Sequence, residues 1–133
     1  MRHTLRLQGV IIGHSELEHV DPGTRRAWGS FRPGMGYELI QPVFRLFSRA
    51  VPRGDDPNGG ARDDTLLDRY HKAREKLPLA LEDADGRAIR TTTIHIADYT
   101  IEEGSQALEL DVLIADDAYW ERRLGSTPEP RDA

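Results

Sequence analysis

His14-Ser15-Glu16-Leu17-Glu18-His19-Val20-Asp21 sets two histidines, two glutamates and an aspartate within eight positions. Imidazole nitrogens and carboxylate oxygens can hold a divalent cation. Such a cation polarises a substrate or activates water without a serine or cysteine nucleophile. On a strand, His14, Glu16 and Glu18 would share one face. On a helical turn, His14 would neighbour Glu18, and Ser15 would neighbour His19. The spacing is not H-E-x-x-H, because His14 and His19 stand five apart. The competing reading is structural: Ser15 followed three residues later by Glu18 is a capping-box pattern, with Leu17 pinning the turn to the core. We favour that capped connector, and with it no cofactor. The alternative is a small metal-dependent hydrolase with His14, Glu16, Glu18, His19 and Asp21 as ligands and His95 contributed across the sheet.

A second candidate is the segment RRAWGSFRPGMGYE, which interleaves Arg25, Arg26 and Arg32 with Trp28, Phe31 and Tyr37. Arginine beside aromatics suits a protein interface or stacking on bases. The plain alternative is a β-hairpin with Phe31 and Tyr37 in the core, the arginines in solvent and the glycines in its turn. His95 and Asp98 could form an acid–base pair, yet a histidine between two isoleucines is also an ordinary sheet residue. Glu102, Glu103, Glu109, Asp111, Asp116 and Asp117 lack the spacing of a calcium loop. They read as a solvated face that blunts a sheet edge.

The chain has 133 residues, no cysteine and a net charge of −5. Disulfides and thiolate chemistry are therefore excluded. Residues 1–60 carry eight arginines against six acids, whereas residues 61–133 carry ten basic residues against seventeen acids. Phosphate binding needs a basic footprint, so the acidic balance argues against nucleic acid as the main partner. Arginines outnumber lysines sixteen to two, which composition bias explains more simply than function. No stretch is apolar enough to span a bilayer, and the amino terminus lacks a leader pattern. A soluble, cytoplasmic protein is the expectation.

These residues need elements to hold them. Leu5 to Ile12 reads as a strand entering the core, and Asp21-Pro22-Gly23 as a turn. Ala27 to Phe31 reads as a short strand, Pro33 to Gly36 as a reversal, and Tyr37 to Phe47 as a long strand interrupted at Pro42. Asp64 to Lys76 is the convincing helix, capped by Asp63 or Asp64 and ended by Pro78. Asp83 to Gly86 is a turn, Arg87 to Ala97 a strand, Tyr99 to Ser105 a turn, and Ala107 to Ala115 the cleanest strand. Tyr119-Trp120 anchors a last short segment. The expected fold is α+β: a mostly antiparallel sheet or partial barrel of five to seven strands with one main helix packed on it. Residues 1–121 would form a single domain with a long surface loop near 50–63, and residues 122–133 a disordered tail. The function expected is a non-catalytic binding or accessory module acting through a protein partner or a homodimer. Arg25, Arg26, Trp28, Phe31, Arg32 and Tyr37 would form its binding face.

Overall fold

The computed structural model describes residues 1–52 and 62–125. Leu5 to Ile12 is not one strand. Gln8 takes a positive φ of 55°, and the chain doubles back there, so that β1 (His3–Leu7) pairs with β2 (Val10–Ser15). A second tight reversal follows β3 (His19–Asp21). The amide of Thr24 donates to Asp21 O, Arg25 sits at φ 61°, and β4 (Arg26–Pro33) returns antiparallel. The Asp-Gly turn forms as the sequence predicts. The Asp83 carboxylate accepts the amides of Asp85 and Arg87, Gly86 takes φ 81°, and the turn joins β5 (Leu79–Glu82) to β6 (Ala88–Ile89). The longest strands are β4, β7 (Thr91–Asp98) and β8 (Leu108–Ile114).

All pairings are antiparallel, in the order β6-β5-β1-β2-β4-β8-β7, with β3 also on β4. The sheet curls into a nearly closed barrel. The expected α+β partial barrel is thus what the chain forms. Among the described residues it has eight strands rather than five to seven, because the first run folds as a hairpin and two short strands add to it. Inward side chains alternate along β8, so Leu108, Leu110, Val112 and Ile114 are buried and join Leu5, Ile12, Leu81, Ile94 and Ile96 in the core.

The helix expected near 64–76 is α2 (Asp64–Glu75), and Asp63 caps it by accepting the amides of Thr65 and Leu66 at 3.0 Å each. The strand expected over Tyr37–Phe47 is overturned. Residues Met35–Leu39 form a 3₁₀ turn and α1 spans Gln41–Ala50. Pro42 falls in the first helical turn, where a missing N–H leaves nothing unpaired, so it starts a helix instead of interrupting a strand. Ile40, Phe44 and Ser48, spaced by four, are the buried face. Two short helices complete the elements of the described residues, α3 (Thr100–Glu103) within the expected turn region and α4 (Asp117–Gly125).

Helix α4 is locked to the barrel through polar contacts. Arg123 donates to the Tyr119 hydroxyl at 2.8 Å and to Leu17 O at 2.6 Å. The hydroxyl therefore spends its own proton on Nε2 of the fully buried His3, 2.9 Å away, which leaves the Nδ1 proton to meet Ser15 O. Residues 122–125, expected in the tail, are thus the last turn of α4; residues 126–133 and 53–61 lie outside the described residues. The loop's two described ends meet, Asp63 N donating to Ala50 O. No helix among the described residues is long and apolar enough to cross a membrane.

Candidate functional site

Strand β2 and the turn after it send the five potential metal ligands to different neighbours. His14 meets Arg2 and Thr4. Burial, and then the Arg2 charge, hold its imidazole below its ordinary pKa. Glu16 pairs with the N-terminal ammonium at 3.1 Å and with Arg32 at 3.2 Å. Glu18 lies over Gly29, where a Cβ would meet its carboxylate. His19 stacks on Trp28, with ring centroids 5.5 Å apart, and Asp21 ends β3. Among the described residues no three histidine or carboxylate side chains converge as a metal site. The capping box is also not used. Leu17 is fully buried at φ 45°, and the Ser15 hydroxyl accepts its amide in a tight turn, with no helix following.

The six candidate binding residues divide by strand alternation. Phe31 and Tyr37 face inward, edge to face at 5.6 Å. Arg26, Trp28 and Arg32 alternate onto the outer side of β4. Arg26 lays its guanidinium 4.1 Å from the Trp28 ring centre and donates from Nε and Nη2 to both Asp111 oxygens. Register places His19, Trp28, Asp111 and His95 in one row across four strands. Arg25 pairs with Asp117.

His95 and Asp98 are three apart on β7 and so do not face each other. The His95 Nδ1 atom is 2.9 Å from the Tyr70 hydroxyl, and Phe47 packs edge-on against the ring at 4.4 Å. Asp98 is fully buried and accepts from the Tyr37 and Thr100 hydroxyls, the Gln41 amide and the Thr100 backbone. Burial pushes its pKa up, but these donors more than offset it and hold the carboxyl below its usual range. Half of the acidic run pairs with arginines elsewhere in the chain: Glu102 with Arg45, Asp111 with Arg26 and Asp117 with Arg25.

Two features lie largely outside the residues singled out from the sequence, His95, Arg26 and Asp111 excepted. One is apolar: Val10, Ile11, Met35 and Leu39 are 42%, 41%, 97% and 65% exposed. The 3₁₀ turn lies against β2 so closely that a Cβ at Gly36 would strike Ile11 O and Val10. The other is a cleft of about 560 Å³ between α2 and β7, lined by Tyr70, Arg74, Thr92, Thr93 and His95 among others. A smaller hollow of about 280 Å³ shares Thr93 and His95 with it and reaches Arg26 and Asp111. The first depends on the 3₁₀ turn, which a strand over Tyr37–Phe47 would not form. The second needs a contact between α2 and a strand some twenty residues later, which no local pattern announces.

No protein-family model, no curated protein and no solved structure matches the chain.

Proposed function

We propose that the chain is a non-catalytic binding module that works by association, with a second copy of itself as partner. The observation that carries this is that Met35 and Leu39 on the 3₁₀ turn, with Val10 of β2 packed beneath it, are left to water. Exposed apolar side chains gathered in one place gain by being covered, and an apolar patch is its own complement across a two-fold axis. Three side chains fall short of the roughly 800 Å² per partner of a stable interface. The proposed contact therefore continues along the outer side of β4 through Arg32 and Trp28. Trp28, already packed against Arg26 and His19, is an aromatic anchor with little side-chain freedom left to lose on binding. A cytoplasmic location belongs to the same proposal, and cell fractionation checks it.

Sedimentation velocity over a wide concentration range is the test. A dimer is expected, shifting to monomer in the Met35→Lys, Leu39→Lys double variant and less completely in Trp28→Ser. A wild-type chain that stays monomeric at every concentration ends the proposal. A dimer indifferent to all three substitutions moves the interface elsewhere.

A further inference from the structure

Arg74 lines the cleft between α2 and β7 and is half-buried. Its Nε donates to Ile94 O at 3.1 Å and its Nη1 to Leu77 O at 2.9 Å. Both acceptors are neutral carbonyls. Arg26 and Arg45 are also drawn against the barrel, and each has a carboxylate, Asp111 and Glu102 respectively. No carboxylate among the described residues pairs with Arg74. Glu75, the one acid lining the cleft, is exposed and forms no ion pair with it. Burial accordingly lowers the Arg74 pKa, whereas the carboxylate partners raise those of Arg26 and Arg45. A guanidinium stays protonated at any ordinary pH and carries five N–H donors. Two are spent on the carbonyls, which leaves three on Nη1 and Nη2 and a full positive charge.

The rest of the cleft fits the body of a small molecule. Its volume of about 560 Å³ lies within the usual range for ligand sites. Phe47, Tyr70 and His95 give it an aromatic wall, each ring in contact with the other two. The exposed Thr92 and Thr93 place hydroxyl-bearing residues at its β7 side. A phosphate calls for several cations or a cluster of backbone amides. One guanidinium beside a wall of rings suits a single negative charge on a planar apolar body.

We propose that this cleft binds a small aromatic carboxylate, with its carboxylate on Arg74 and its ring against Phe47, Tyr70 and His95. The site is independent of the association surface around Met35.

The test is a titration of the full chain with benzoate and with 3-phenylpropionate, followed by amide NMR shifts, with benzamide as the uncharged control. Saturable shifts are expected at Tyr70–Glu75 and Thr92–His95, with benzamide weaker by about tenfold or more. Arg74→Gln should abolish the preference for acid over amide. Because Arg74 also bridges two backbone segments, Thr92→Glu is the second variant: it sets an acid at the cleft and should weaken benzoate about tenfold while sparing benzamide. No saturable shift with either acid overturns the proposal. Equal binding of benzoate and benzamide, or shifts that cluster elsewhere, overturns it as well.

Discussion

Arg45 and Arg74 enter the protein in parallel ways. Each rises from a helix, α1 or α2, and donates to a carbonyl of β7, Arg45 to Asp98 O at 2.7 Å and Arg74 to Ile94 O at 3.1 Å. What differs is the countercharge. Arg45 forks onto Glu102 at 2.8 and 2.9 Å, beside an Asp98 carboxylate that has its own four donors. Around Asp98 the charges and donors match, and the result is scaffold: 3₁₀ turn, α1, β7 and α3 are tied at one point. At Arg74 the charge is left over, and a cleft adjoins it. A buried charge that is matched holds a fold together, whereas one left unmatched is a place for something else to bind.

The largest predicted effect breaks the matched region. Asp98→Ala leaves the Tyr37 hydroxyl, the Gln41 amide and the Thr100 groups without their acceptor. The loss should be about 3–5 kcal/mol of unfolding free energy, read by urea titration. Asp98→Asn keeps an acceptor and should lose less. A loss under about 1 kcal/mol for the alanine variant would mean that water replaces the carboxylate freely, and the hub would not be a tie point.

Next in size is His3, a buried group with no countercharge that copes by staying neutral. Burial, and after it the Arg123 charge, lowers its pKa from 6.5 to about 4. Between those values the unfolded chain binds the extra proton and the folded chain does not. Stability therefore rises with pH across that window and is lost as pH falls from about 6.5 to about 4, where it levels off. The difference of about 2.5 units corresponds to about 3 kcal/mol. His3→Gln, which can still accept from Tyr119, should flatten most of that slope. His14 is shifted the same way and should leave a residue of it. An unchanged slope in His3→Gln would show that the ring is not what titrates.

What could be read from the sequence follows the reach of the interactions. Helix α2 was legible because its cap, Asp63, and its apolar face are local; β8 was legible because its alternation is unbroken. Tyr37 to Phe47 reads as a strand because its alternation around Pro42 is as strong locally as the four-residue spacing of Ile40, Phe44 and Ser48, and only the fold shows Pro42 to open a helix. The ligand-rich stretch at His14–Asp21 showed the right residue types but not their partners. Arg2, the N-terminal ammonium, Arg32 and Trp28 claim those side chains from other strands. Arg74 gave no signal at all, since its lack of a countercharge exists only once β7 is beside α2.

Arg45→Met against Arg74→Met sharpens the contrast between the two arginines. Arg45→Met strands Glu102, itself partly exposed, and the Asp98 carbonyl, and should lose about 1–3 kcal/mol. Arg74→Met gives up two carbonyl contacts but also removes a desolvated charge, so the net change should stay within about 1 kcal/mol of zero. Equal losses in thermal or urea unfolding would make Arg74 a structural clamp across the seam between β7 and the start of β5.

The smallest effect concerns the acidic run, whose charge could in principle draw the arginine-rich strand of a second copy. Arg25 and Arg26 meet Asp117 and Asp111 within one chain, so little of that attraction remains to draw a partner. The Arg25–Asp117 contact is short at 2.5 Å, but its side chains are 49% and 70% exposed. Solvent screens such a pair, and holding two mobile side chains offsets much of what attraction is left. Asp117→Asn should therefore change unfolding free energy by no more than about 0.5 kcal/mol. It should also leave sedimentation unchanged, whereas Met35→Lys with Leu39→Lys shifts it. If Asp117→Asn dissociates a dimer at low salt while the apolar variants do not, association runs through charge on the β4–α4 side, and the exposed methionine is incidental.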